Sequence, residues 1–242
     1  MTIEQPALDR RTWKHELYDG LLKNSLLGWL EPIIIRDTIT IDVGGNTGYQ
    51  AYWHSQYNNV ITFEPVKEVY DILMQNMSNM GVSNIEFRNK AVGSENKKVK
   101  LFIDSKRLSM TSQSPLVDDV TEREVDMVQL DTQGYDKRVG FIKIDVEGYE
   151  LDVLEGASDL IDIDKPHCMV EIYKPWCDKI TPAEKYFTWF KDRGYNCFYF
   201  NSMTNNFIKV DSVEQGVHAV EKYHFQHDGD FLFTHKEEKG PF

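Results

Sequence analysis

Residues 38–48 read TITIDVGGNTG. A run of β-branched residues, broken by Asp42, enters a glycine-rich turn without a spacer. That is the pattern of a buried strand. Glycines directly after it let the backbone turn sharply and approach a ligand closely. Outward from this point the pattern repeats. Residues 49–57 read as a helix, NVITFE (59–64) as a second strand, 66–80 as a helix with Val69, Leu73, Met77 and Met80 on one face, and NIEFRNKAV (84–92) as a third strand. Strand–helix alternation of this kind implies parallel strands joined by crossover helices.

The alternation resumes at GFIKID (140–145), followed by a helix over 149–160, HCMVEIY (167–173), a helix over 182–193 that stops at Gly194, YNCFYF (195–200) and DFLFTH (230–235). Seven main strands therefore form a doubly wound α/β sheet with helices on both faces. No long helix is evident between the last two strands, so the last is expected to run antiparallel. VKLFID (99–104) and VDMVQL (125–130) are expected to form a small β insertion between strands 3 and 4. Trp13, Leu17, Leu21 and Leu22 recur at helical spacing, and Pro32 ends that pattern. The expected organisation is an N-terminal helical segment over 1–37 and a single domain over 38–242.

Composition excludes several alternatives. Lys plus Arg is 27 and Asp plus Glu is 39, a net charge of −12. An acidic chain lacks the basic face that duplex or RNA binding needs, so no nucleic-acid partner is expected. No run of 18 apolar residues is present and the N-terminus lacks a signal-type apolar core. A cytoplasmic location without a membrane span follows as the expectation. The three cysteines, Cys168, Cys177 and Cys197, form no CxxC pair and read as reduced core thiols rather than zinc ligands.

The turn itself carries the chemistry. Asp42, Gly44, Gly45, Asn46 and Gly48 lie where a first strand meets a first helix, and Glu64 closes the second strand. A carboxylate at that distance accepts hydrogen bonds from ribose hydroxyls. The motif is D-x-G-G-N-x-G rather than the G-x-G-x-x-G of dinucleotide enzymes. A carboxylate beside the glycines would repel pyrophosphate but suits a sulfonium and an ammonium, which points to S-adenosylmethionine rather than NAD.

FEP (63–65), IDVGGNTG (41–48), NKAVG (89–93), RLSMTS (107–112), LDT (130–132) and above all FIKIDVEGYELDVLEGA (141–157) resemble the FkbM family of S-adenosylmethionine-dependent methyltransferases. The resemblance covers roughly 39–173. It implies the class I methyltransferase (Rossmann-like) sheet, a cofactor site that includes Ala91, and hydroxyl acceptors on sugars or other small molecules. Gly45 stands where the family often has alanine, a difference expected to be harmless.

Ligands of open α/β sheets bind beyond the carboxyl ends of the strands. Asp145, Glu147 and Glu171 are expected there, with Asp145 the first choice of base or orienting acceptor and also a cofactor contact. Glu147 has a second reading as a helix cap. Glu150 and Glu155 read as solvated helix faces. Lys143 shares a face with Asp145. The carboxylates raise Mg²⁺ as an option, but no metal site is assigned. Segment 201–228 is expected to lie over the acceptor site, with His224 or His227 reaching inward. His167 reads as structural. The alternative to an enzyme is a non-catalytic module that binds the same adenosyl ligand.

Overall fold

The computed structural model describes residues 26–104, 107–112, 120–201, 203–223 and 229–238. A short helix α1 (Leu26–Leu30) and a 3₁₀ turn (Glu31–Ile33) lead into β1 (Ile39–Val43), α2 (Tyr49–Ser55), β2 (Asn59–Phe63), α3 (Lys67–Met80) and β3 (Ile85–Arg88). Next come β4 (Ala91–Val92), β5 (Lys97–Asp104), β6 (Arg107–Ser112), β7 (Val120–Val128) and β8 (Val139–Ile144). The chain continues through α4 (Glu150–Glu155), α5 (Ser158–Asp164), β9 (His167–Glu171), α6 (Lys174–Cys177), α7 (Ala183–Asp192), β10 (Tyr195–Asn201), β11 (Asn206–Val210), α8 (Val213–Tyr223) and β12 (Asp230–His235).

The main sheet has eight strands in the order β11-β10-β12-β9-β8-β1-β2-β3. β3, β2, β1, β8 and β9 run parallel. β12 is antiparallel to both β9 and β10, and β11 is antiparallel to β10. From β1 the chain moves to one side through β2 and β3, then returns to the other side at β8. The sheet's switch point therefore lies between β1 and β8, where a crevice opens at the carboxyl ends of the strands.

Both central strands are buried along their whole length, as parallel strands covered on two faces must be. One face packs Ile41, Ile142, Val170 and Phe231 against Val153 and Leu154 of α4, Ile161 of α5, Phe187 and Phe190 of α7 and Val220 of α8. The other packs Phe141, Met169 and Leu232 against Leu27, Leu30, Ile33 and Trp53. Beyond β1 on that side, Val60 meets Leu73 and Met77 of α3.

The strand count exceeds the expected seven by one. NFIKV (206–210), inside the segment read as a cover for the acceptor site, is the edge strand β11, and α8 packs beside α7. β11 thus lies at the far edge of the sheet, with three strands between it and β8, and residues 206–223 do not line the cleft that Asp145 opens into. His224 and His227 fall outside the described residues. The third expected strand divides: Asn89 donates to the carbonyls of Glu64 and Pro65, the chain turns, and β4 joins a second sheet in the order β4-β7-β5-β6. The insertion is therefore a four-stranded sheet. The expected helix over 149–160 breaks at Gly156, where a Cβ would stand 1.9 Å from the carbonyl oxygen of Gly93. The described end of the N-terminal segment packs Leu27 and Leu30 into the main core.

Candidate active site

The turn after β1 is built on backbone geometry that side chains cannot share. Gly44 has φ +81°, and a Cβ there would stand 1.9 Å from the carbonyl oxygen of Asp145. Its N–H and that of Gly45 both donate to Phe63 O, at 3.0 and 2.9 Å. Gly48 starts α2 in the left-handed region at φ +94°, conformations open chiefly to glycine. Asn46 is also left-handed, at φ +48°, and its N–H points at Glu64 Oε2, 3.0 Å away.

Glu64 is buried. Its other oxygen accepts from Val66 N–H at 2.9 Å. Each oxygen has one backbone donor and a lone pair left over, so the carboxylate is fixed in place and still able to accept. Burial pushes its pKa up to about 7, against the two N–H donors and Lys143.

Gly44, Asn46, Glu64, Ala91, Asp145 and Glu147 line one cleft together with Val43, Phe63, Pro65, Lys90, Val92, Leu101, Val146 and Tyr149. The cleft thus has a polar rim from the two strand ends and an apolar wall from β2, β4 and β5. Gly45 and Gly48 frame the turn without lining the cleft. Leu101 comes from the insertion and was not singled out from the sequence; its alternation with Val99 and Ile103 in VKLFID is the signal that puts the three on one face.

Asp42 is not where the sequence placed it. It is fully buried beneath the turn rather than in the cleft, and it does not line the cofactor side. Thr62 Oγ1 donates to Asp42 Oδ2 at 3.0 Å, and Lys143 Nζ stands 3.5 Å from Oδ1. Burial raises its pKa and Lys143 opposes the shift. Its charge is answered inside the protein, so the argument that it selects a sulfonium falls. Gly45 also departs from expectation. A Cβ there would lie 2.2 Å from Thr62 Oγ1 and 2.8 Å from Leu73 Cδ1, so alanine is not a harmless exchange in this chain.

Lys143 is buried rather than extended to solvent. It donates to Gly44 O at 2.7 Å and stands 3.3 Å from Asp145 Oδ2. Burial works against its charge, but Asp145 and Asp42 outweigh it and its pKa is raised. Asp145 lines the cleft with 39% of its side chain exposed. Its N–H bonds Val43 O at 3.1 Å.

The turn after β8 is held by Glu150, which is buried at the start of α4 and is not the solvated position expected. Its Oε1 accepts from the N–H groups of Val146 and Gly148, at 3.1 and 2.9 Å. Its Oε2 accepts from the hydroxyl of Tyr186 on α7 at 3.2 Å. Glu150, not Glu147, therefore caps this turn. Glu147 sits at φ +58°, a strained value for a side chain with a Cβ, and lines the cleft. Burial pushes its pKa up to about 7, with Asp145 and Glu150 adding to the rise.

Glu171 ends β9 and does not line the cleft. Burial holds its pKa well above the carboxylate range, and Asp145, Glu150 and Glu147 reinforce that. The carboxylates are near neighbours, yet among the described residues no group of three His, Cys, Asp or Glu side chains is arranged to hold a metal ion. His167 is buried at the amino end of β9, and burial lowers its pKa to about 4. The three cysteines are free thiols.

A glycine turn and a fixed carboxylate at the switch point of an open sheet define a nucleotide-ligand domain of the Rossmann-like class. A family model described as the methyltransferase FkbM domain matches residues 42–197. The chain belongs to the FkbM family of methyltransferases. Methyltransferase 1 of Beauveria bassiana (strain ARSEF 2860) is 28% identical over 148 residues, 51% of this chain and 59% of that protein. The crystal structure of methyltransferase FkbM from Methylobacillus flagellatus KT aligns with 88% of this chain and 47% of its own, with a TM-score of 0.55 and 16% identity. The chain thus spans roughly half the length of these two relatives, and the likeness to the second is one of fold.

Proposed function

We propose that this protein transfers a methyl group from S-adenosylmethionine to a hydroxyl of a sugar or another small molecule. The observation that carries the reading is Glu64: a buried carboxylate, immobilised by Asn46 and Val66, that lines the cleft together with Gly44 and Asn46 of the glycine turn. Two acceptor oxygens on a rigid mount suit a vicinal diol, and the apolar wall of Val92, Pro65 and Leu101 suits a flat base.

When bound, the donor supplies a methyl carbon activated by a sulfonium sulfur. The chain contributes position and a proton acceptor. Asp145 orients the acceptor hydroxyl so that a lone pair faces the methyl carbon, and orientation alone supplies much of such a rate. With the donor bound, formation of the O–CH₃ bond would break the S–CH₃ bond, whose electron pair returns to sulfur to leave a neutral thioether, and the hydroxyl proton would pass to a cleft carboxylate, Asp145 first and Glu147 next, and from there to water. Glu171, which does not line the cleft and is held protonated by burial, is not assigned this step. No metal step is invoked. No helix among the described residues is long and apolar enough to cross a membrane.

Calorimetry with S-adenosylhomocysteine and NAD, followed by a methyl-transfer screen against p-nitrophenyl glycosides of common hexoses, tests the reading. Tight binding of S-adenosylhomocysteine, with weak or no binding of NAD, is expected. Equal affinity for NAD would remove the donor assignment. Methylation confined to nitrogen or carbon acceptors would remove the hydroxyl.

A further inference from the structure

Lys143 does not itself line the cleft, yet it contacts both strand ends that build it. Its ammonium has three N–H donors and accepts nothing. One donor bonds Gly44 O at 2.7 Å. Asp42 Oδ1 lies 3.5 Å away and Asp145 Oδ2 3.3 Å away. Gly44 belongs to the donor turn after β1, and Asp42 to β1 directly beneath it. Asp145 belongs to the acceptor side after β8. Asp42 is itself anchored to β2 through Thr62, so the ammonium is tied to a rigid frame. Its side chain is 5% exposed, so water does not loosen these contacts.

We infer that Lys143 is a positioning residue for methyl transfer: one buried ammonium sets the glycine turn and the Asp145 carboxylate at a fixed separation. The inference rests on the reading of Asp145 as the group that orients the acceptor. An in-line displacement is sensitive to the placement of its two reactants, and small errors of placement reduce rate far more than binding. Lys143 also has a plain structural duty, the neutralisation of buried Asp42, and any test must separate the two.

Lys143→Met alone would leave Asp42 without its counter-charge. The pair D42N/K143M avoids this, because an amide at 42 still offers an oxygen to Thr62. Thermal melting, S-adenosylhomocysteine affinity by calorimetry, and kcat and KM on the p-nitrophenyl glycoside that the wild type methylates fastest are measured on the full chain. The expected result is a pair variant that melts near the wild type, binds S-adenosylhomocysteine within a few-fold, and loses about 10²-fold in kcat with a smaller change in acceptor KM. In a D145N background the same pair is expected to add little further loss, since coupled residues are not additive.

A pair variant with wild-type kcat overturns the inference. So does a loss of donor affinity equal to the loss of kcat, which would confine Lys143 to the donor turn. A crystal structure of the pair variant with Asp145 unmoved also overturns it. Should the pair fail to fold, D42N/K143Q takes its place: the amide at 143 still donates to Gly44 O but carries no charge for Asp145, the neutral residue at 42 needs no counter-charge, and wild-type kcat in that variant overturns the inference equally. A wild type that neither binds S-adenosylhomocysteine nor methylates any glycoside removes the underlying reading instead, and that outcome is visible before any variant is made.

Discussion

Glu64 offers two opposed pH dependences from one side chain. Its pKa moves from an ordinary 4.5 up to about 7, driven by burial. At 1.36 kcal/mol per unit, the folded protein prefers the protonated acid by about 3 kcal/mol. A folded-state pKa above the unfolded value means that this stability is fully present below pH 4.5 and is lost as pH rises through about 7. Between pH 5.5 and 8.5 the loss is about 2 kcal/mol. Glu147 and Glu150, also raised to about 7, add slopes of the same sign, so the wild type alone is not diagnostic. Glu64→Gln isolates the effect. Its amide turns one donor toward the N–H of Asn46 or Val66, which lowers stability at acid pH by about 1–3 kcal/mol, but it does not titrate. The stability gap between wild type and variant should therefore narrow by about 2 kcal/mol between pH 5.5 and 8.5. Donor affinity runs the other way. An ionised carboxylate accepts hydroxyl donors better than an acid does, so wild-type affinity for S-adenosylhomocysteine should rise through pH 7 while that of Glu64→Gln stays flat. At pH 8 the variant should bind about 1.5–3 kcal/mol more weakly. Denaturant titrations and calorimetry across this range are the assays. A stability gap independent of pH, or parallel affinity curves for the two proteins, would refute the reasoning.

Asp145→Asn should lower kcat by about 10²-fold or more with S-adenosylhomocysteine affinity kept; an equal fall in affinity would make Asp145 a donor contact. Glu147, raised to about 7, must be ionised to take a proton, so a rate that rises through about pH 7 and loses that limb in Glu147→Gln is expected if it is the base. A limb unchanged in the variant would assign the proton to another group. Gly45→Ala drives a Cβ to within 2.2 Å of Thr62 Oγ1 and should lower stability by about 1–3 kcal/mol, the scale of overpacking. An unchanged melting temperature would show that Thr62 can leave Asp42 freely.

Much of this architecture was legible because short apolar, β-branched or aromatic runs bounded by turn residues mark buried strands. β1, β2, β8, β9, β10 and β12 each fall on such a run. β11 was not legible: its FIKV core sits in a polar segment, and its partner β10 is met only through a short reversal. Glu150 was misread because its burial depends on Tyr186, 36 residues further along the chain. Alternation told which strand residues share a face. It did not tell how deep each one lies, and that is where Asp42 and Asp145 part company.

Depth follows from register. Asp42 pairs with Thr62 on one side and with Lys143 on the other, so three polar side chains form a row across β2, β1 and β8, one residue below the strand ends. Buried polar groups in a sheet covered on both faces are destabilising unless they answer one another, and these do. Asp145 comes one residue after β8 ends, above the row, and opens to the cleft. The two aspartates have the same chemistry and opposite duties: the lower one holds the lysine, and the lysine holds the upper one. In the proposed transfer, the polar row directly beneath the glycine turn, rather than the glycines alone, is what would hold the two reactants in line.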